Sequence, residues 1–223
     1  EENAVAMASG LAKGGARPIF STHSTFIQRT YDQLSQDLCI NNNPAVLLIT
    51  MAGAEGMSDT THLCIFDIPL MSNIPNLVYL APTCKEEYYK MMDWAVAQTS
   101  HPVALRIPST VISRPDVKFD SAYDELNRYK IEHKGSKVAI IGLGDWFSLG
   151  EKVAALLGKH GIDATLVNPR YVTGVDTELL DSLAEAHEIV VTLENGVLDG
   201  GFGEKIARHY GLSPMKVFCK GLR

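Results

Sequence analysis

Close cysteine spacing is missing. Cys39, Cys64, Cys84 and Cys219 are scattered, with no C-x-x-C pair and no tight Cys/His grouping. That argues against a zinc site or a disulfide framework and suits the reduced thiols of a cytoplasmic protein. No metal site is expected within these residues. Long apolar runs are also missing. Ala45–Ile49 is far too short to cross a bilayer, so no membrane partner is expected. Basic charge is in the minority, with 20 Lys and Arg against 26 Asp and Glu, a net charge of −6. Nucleic-acid affinity rests on concentrated Lys and Arg, so no nucleic-acid partner is expected. Neither the 18 glycines nor the 10 prolines dominate, which excludes a collagen-like or linker-dominated chain.

What is present is ordinary globular composition, 46% hydrophobic and 21% charged, over 223 residues. That length allows one large domain or two small ones. The chain opens at Glu1 inside a helical pattern without a methionine, and reads as a piece of something longer.

Strands and helices alternate along the chain. Glu2–Lys13 is rich in Ala and Met and stops at Gly14-Gly15, which predicts a helix. Pro18–Thr22 predicts a strand. Thr25–Ile40 spaces Phe26, Ile27, Tyr31, Leu34 and Leu38 as an amphipathic helix. Ala45–Met51 is the uninterrupted apolar run of a buried parallel strand. A short apolar stretch at Phe66–Met71 precedes a strand at Leu77–Ala81. Thr83 and Glu86 then form a capping box for a helix running to about Ala97. Val103–Ile107 predicts the next strand.

From Pro108 to Gly135 the pattern dissolves, which marks a linker. A second alternating block predicts strands at Lys137–Ile141, Asp163–Val167 and Glu188–Leu193. Its helices fall at Phe147–His160, Asp176–Ala186 and Gly203–Tyr210. Alternation of this kind implies βαβ units. The fold class is α/β, with two domains of mainly parallel sheets flanked by helices and no internal repeat. The expected boundaries are 1–107, a linker at 108–135, and 136–223.

Gly142-Leu143-Gly144 after a strand invites a dinucleotide reading, but Phe147 stands where a third glycine is needed. An ordinary strand-to-helix turn is the better reading. The loop Ala52–Thr61 leaves the C-terminal end of a buried strand, where ligands of open α/β sheets collect, and ends in His62. On residues alone, His62 is as well read as a satisfied structural histidine. Glu194-Asn195-Gly196 and Asp199–Gly203 are glycine-dense, fitting either a ligand contact or tight packing.

Whole strings say more. The first half carries Glu1-x-x-Ala4-Val5, then Ser24-Thr25-Phe26-Ile27-Gln28-Arg29-x-Tyr31-Asp32-Gln33. Asp37, Pro44, Ala52-Gly53, Gly56, Thr61-His62, Phe66-Asp67, Ile74-Pro75-Asn76 and Ala81-Pro82 follow. This resembles the thiamine-diphosphate enzymes of the transketolase group, and most of all the 1-deoxy-D-xylulose-5-phosphate synthases. The second half is similar more weakly, through Glu194-Asn195 and the glycine-rich turn after it. The resemblance implies a pyrimidine-binding domain and a transketolase C-terminal-like domain. The family's pyrophosphate-binding domain, which holds Mg²⁺ and the diphosphate, is not represented. It implies as partners that domain or subunit, a second copy in a homodimer, a 2-keto acid or ketose donor, and an aldehyde acceptor.

The resemblance also assigns roles. Glu1 would bond the aminopyrimidine N1′ of thiamine diphosphate, and burial would raise its pKa. Phe26 would pack on the pyrimidine ring. His62 would act in catalysis, and His23, Arg29, Asp59 and His62 would contact substrate. The departures lie on the acceptor side. Met51 and Ser109 stand where phosphate-binding arginines are expected, Ser58 where a sugar-binding Asp is expected, and His23 where a Tyr is expected. A guanidinium's bidentate grip on phosphate has no substitute in Met or Ser.

Overall fold

The computed structural model describes residues 1–57 and 59–223. The first half forms a four-stranded, all-parallel sheet in the order β1-β2-β4-β3. Its strands are β1 (Ile19–His23), β2 (Val46–Thr50), β3 (Val78–Leu80) and β4 (Val103–Arg106). β3 and β4 are buried at every residue and β2 at most, so their sequences read as apolar runs rather than alternations. Helix α1 (Glu2–Lys13) buries Val5, Ala8, Ser9 and Ala12 along one face. The register sets His23 opposite Thr50 and Ile49 opposite Arg106. The C-terminal edge of the sheet therefore presents these side chains together, ahead of the loops that carry the site.

The segment predicted as one helix over Thr25–Ile40 is helical but changes winding twice. A short α-helix, α2 (Ser24–Ile27), tightens to a 3₁₀ turn at Gln28–Thr30 and then widens to a π-helix at Gln33–Cys39. Ile27, Leu34 and Leu38 are fully buried, while Phe26 and Arg29 stay at the sheet edge. Phe66–Met71 contains a helix, α3 (Asp67–Met71). Helix α4 (Lys85–Ala97) has Cys84 at its N-cap, and its capping partner differs from the expected one. Thr83 N–H and Oγ1 both donate to Glu87 at 2.7 Å. Glu86 instead accepts from Ser113 Oγ and the Arg114 N–H.

The second half is a five-stranded sheet in the order β5-β7-β6-β8-β9. It comprises β5 (Lys130–His133), β6 (Lys137–Gly142), β7 (Thr165–Asn168), β8 (His187–Val197) and β9 (Lys216–Leu222). Helices α5 (Phe147–Lys159), α6 (Thr177–Ala186) and α7 (Phe202–His209) cover it. All pairings are parallel except β5 with β7. Two strands were absent from the sequence reading. β5 lies inside the stretch read as linker, and β9 follows the last expected helix. Gly142 and Gly144 form an ordinary strand-to-helix turn. A Cβ on Gly142 would sit 2.7 Å from Phe147 Cα, and Gly144 adopts φ +56°.

Backbone hydrogen bonds join the halves. Ala81 N–H donates to Arg170 O at 2.8 Å, and Val172 N–H donates to Tyr79 O at 2.7 Å. The exposed edge of β3 is thus closed by the segment after β7, and one apolar cluster runs through both sheets. Among the described residues, no helix is long and apolar enough to cross a membrane.

Candidate functional site

Phe26, in the first turn after β1, is the centre of the site. His23 stacks on its ring at a centroid distance of 5.8 Å and 26°. His62, from the loop after β2, meets it edge-on at 5.5 Å and 85°. The Arg29 guanidinium carbon lies 5.7 Å from the ring centroid, within cation–π range. Arg29 Nη1 is also 3.5 Å from Glu1 Oε2, so the N-cap of α1 joins the same layer. Asp59 completes it through His62. The structure therefore brings together Glu1, His23, Phe26, Arg29, Asp59 and His62. Glu1 differs from the implied buried carboxyl, because its side chain keeps 27% exposure. Ser58 lies outside the described residues.

Hydrogen bonding selects one tautomer for each histidine. Thr50 Oγ1 donates its proton to Thr22 O at 3.1 Å, so it accepts from His23 Nδ1 at 2.8 Å. Thr61 Oγ1 likewise gives its proton to Asp59 Oδ1 at 2.6 Å. His62 Nδ1 then faces two acceptors, Asp59 Oδ1 at 3.0 Å and Thr61 Oγ1 at 2.9 Å. In the neutral form each ring carries its proton on Nδ1, which leaves Nε2 as the atom that faces a ligand. The Thr61 hydroxyl, then His62 and the Thr61 N–H, hold the Asp59 carboxyl well below the usual carboxylate range. Asp59 is thus a fixed anion that orients the His62 ring.

Behind this layer sits a buried polar network that sequence reasoning missed. Asp67 accepts from Arg106 Nε at 2.7 Å, Tyr79 Oη at 2.6 Å and Ser24 Oγ at 3.1 Å. Ser24 opens the turn that carries Phe26, so the platform is tied to the core. Burial opposes the charge of Arg106, but Asp67 outweighs it and raises the guanidinium pKa above its ordinary value. Arg106 Nη2 also donates to Asn195 O at 2.7 Å, and Nη1 is 3.5 Å from Asp145 Oδ1. Burial pushes the Asp145 carboxyl up. Arg106 lies in the string Arg106-Ile107-Pro108, and its partners Asp67, Asp145 and Asn195 lie far away along the chain.

The acceptor-side departures lie on the same edge. Met51 follows β2 directly, with φ +58°, and Ser109 is exposed in the segment after β4. Ala52 N–H donates to Ile107 O at 3.0 Å, which sets the two segments side by side. A cavity of 430 Å³ opens further along, lined by residues including Pro82, Tyr88, Ile107, Val111 and Asp145. It includes none of Glu1, Phe26 or His62, whose layer lies open on the protein surface. Among the described residues, no three His, Cys, Asp or Glu side chains are grouped to hold a metal ion.

The parallel sheet, with a carboxylate, an aromatic ring and two imidazoles at the C-terminal edge where open α/β sheets collect ligands, defines an α/β protein with a candidate site at that edge. The family model "Transketolase, pyrimidine binding domain" matches residues 1–113, and "Transketolase, C-terminal domain" matches residues 127–215. The chain belongs to the transketolase family. It is 38% identical over 209 residues to the 1-deoxy-D-xylulose-5-phosphate synthase of Clostridium tetani, covering 94% of this chain and 33% of that protein. It is also 38% identical over 223 residues to the synthase of Gloeothece citriformis, covering 98% and 35%. The chain spans about a third of the length of these relatives. A solved structure described as a split gene transketolase, inactive beta4 tetramer, superposes with a TM-score of 0.87 at 25% identity. That match covers 100% of this chain and 73% of the other.

Proposed function

We propose that this chain is the pyrimidine-binding and C-terminal portion of a thiamine-diphosphate-dependent transferase of the 1-deoxy-D-xylulose-5-phosphate synthase type. It would move a two-carbon ketol or acyl unit from a 2-keto acid or ketose donor to an aldehyde. The observation that carries this reading is the convergence of Glu1, Phe26 and His62, from three separate segments, on one face of the sheet edge. The functional division is 1–107 for the pyrimidine and 136–223 for the C-terminal domain, with 108–135 connecting them and adding β5 to the second sheet.

The residues present fit the aminopyrimidine end of the cofactor. A carboxylate can hold a proton shared with a ring nitrogen, and a half-exposed phenyl ring offers a stacking face. The bound cofactor supplies the electron sink that stabilises carbanion charge. The chain's residues do the rest. Glu1 holds the proton at the pyrimidine, and Phe26 orients the ring. His62 Nε2 exchanges a proton with a substrate oxygen, with Asp59 fixing its tautomer. His23 Nε2 and Arg29 give polar anchors to the substrate.

The open surface around Phe26 requires a cover to exclude water. A pyrophosphate-binding domain or subunit, which would supply the oxygen ligands for Mg²⁺ and the diphosphate, is the fitting partner. In the assembled enzyme, Glu1→Ala should abolish turnover and His62→Ala should lower kcat about 10²–10⁴-fold. Calorimetry should find no tight Mg²⁺-dependent binding of thiamine diphosphate by residues 1–223 alone. Full turnover by the Glu1→Ala assembly sinks the proposal. Two other readings rest on Met51 and Ser109 in place of arginines: a transketolase-like subunit with a different acceptor, and a non-catalytic assembly or regulatory module.

A further inference from the structure

We propose that Asn195, contributed by the second sheet, is a positioning residue for the loop that carries Asp59 and His62. The inference rests on the functional reading above for what that loop does. Asn195 lies on β8, is fully buried, and uses all of its polar atoms. Its Oδ1 accepts the Ala54 N–H at 2.9 Å. Its Nδ2 donates to Glu55 Oε2 at 2.8 Å and to Asp145 Oδ2 at 2.6 Å. Its backbone carbonyl accepts from Arg106.

This pattern specifies a carboxamide. One side chain must accept a backbone N–H and at the same time donate to two carboxylates, which an amide does and a carboxylate, alcohol or hydrocarbon of that size does not. The loop is shaped to receive it. Gly53 has φ +106°, and a Cβ there would overlap the Asn195 carboxamide. The Gly53 N–H donates to Cys64 O at 2.7 Å, and the Gly56 N–H to Gly53 O at 3.0 Å, closing the root of the loop on itself. Asn195 therefore grips the loop at its root, while Asp59 and His62 project from the segment beyond.

Asp145, in the turn before α5, and Glu55, in the loop, are the two anions on Nδ2, and Arg106 of β4 is the cation beside them. The second half of the chain thereby sets the angle at which His62 meets Phe26.

The test uses Asn195→Asp, which keeps size and removes the donors, Asn195→Ala, which removes both functions without adding charge, and the swap Asn195→Asp with Asp145→Asn. Hydrogen exchange is read on the chain alone. Turnover is read on the assembled enzyme. Both single variants should lose at least tenfold protection at the amides of residues 53–56, with β6 and β8 still protected. They should lower kcat/KM at least tenfold, mainly through kcat. The swap, which restores the Asp145 hydrogen bond in reverse, should recover about tenfold in protection over Asn195→Asp. Unchanged loop protection in both single variants overturns the proposal, as does uniform loss of protection across both sheets. The exchange arm needs no substrate, so a wild-type assembly without turnover counts against the functional reading and leaves the clamp judged on exchange.

Discussion

Arg106 and Asp67 form an ion pair closed off from solvent, with Nε 2.7 Å from Oδ2 and side-chain exposures of 1% and 0%. The pair joins β4 to the helix after the site loop. Through Ser24 and the Asn195 carbonyl it also reaches the Phe26 platform and the second sheet.

Removing one partner leaves the other as an uncompensated buried charge, which costs about 3–5 kcal/mol. Arg106→Met should therefore lower the unfolding free energy by that amount in urea titrations of the chain. The double variant Arg106→Met with Asp67→Leu should lose less than the sum of the single losses, because Asp67 no longer remains as an unpaired buried charge and Asp145 keeps the hydrogen bond from Asn195. Additive losses in the two single variants and the double variant would show that the pair does not act as a unit.

Glu194 makes stability depend on pH. Burial raises its pKa to about 7, although the Phe202 and Gly203 N–H groups, both at 2.7 Å, favour the charged form. Its folded-state pKa lies above the unfolded value, so the folded state binds this proton more tightly. The stabilisation is complete below the unfolded pKa and is lost as pH rises through about 7. Lys205, lowered by burial to about 8, remains charged across most of that window. Glu194→Gln should flatten the fall in stability between about pH 4.5 and 7, an effect of up to about 3 kcal/mol. Parallel pH profiles for wild type and variant would exclude Glu194 as the source.

Those two networks mark the limit of what local sequence shows. β2, α1, α5 and α6 were legible because a buried apolar run or a stripe of fixed period declares itself within one window. β9 carries the alternation Lys216, Val217, Phe218, Cys219, Lys220, with outward and half-buried residues in turn, and that signal was available. β5 has four residues, with Ile131 as its one apolar side chain, and is recruited by pairing with β7. The candidate site residues stand out through family strings alone, since no periodicity singles out Glu1 or His62. Arg106, Asp145 and Asn195 converge only when two sheets pack, and no spacing in the chain encodes that.

Assembly gives the next prediction. The resemblance implies a homodimer, with Phe66–Met71 and Gly200–Gly203 at the contact. Ile68 and Met71 are fully buried in the core, so the outward face there reduces chiefly to Phe66, at 38% exposure, and Pro69. A cleft of 730 Å³ beside them is lined by Pro69, Ser72, Gly201, Lys205 and Arg208, among others. Sedimentation at tens of micromolar should give the mass of two chains. Burying one phenylalanine contributes about 1.5–3 kcal/mol, so Phe66→Glu should weaken the dimer at least tenfold. A wild-type mass of one chain would count against the dimer.

The acceptor gives the last prediction. Met51 and Ser109 occupy neighbouring segments of one sheet edge, where two guanidiniums would grip a phosphate from two sides. Hydrogen bonds to charged groups contribute about 1.5–3 kcal/mol each, so two missing contacts amount to several orders of magnitude in transition-state binding. The assembled enzyme should therefore favour phosphorylated aldehydes only weakly. Met51→Arg with Ser109→Arg should raise kcat/KM for glyceraldehyde 3-phosphate at least tenfold more than for glyceraldehyde. Arginine at residue 51 inherits the left-handed backbone that Met51 already adopts, so the substitution adds no strain of a new kind. Glu1→Ala is the control, since it should remove turnover with either aldehyde. A wild-type enzyme that already prefers the phosphorylated aldehyde a thousandfold would place the phosphate on another cation, with Arg29, exposed beside Phe26, the first to replace.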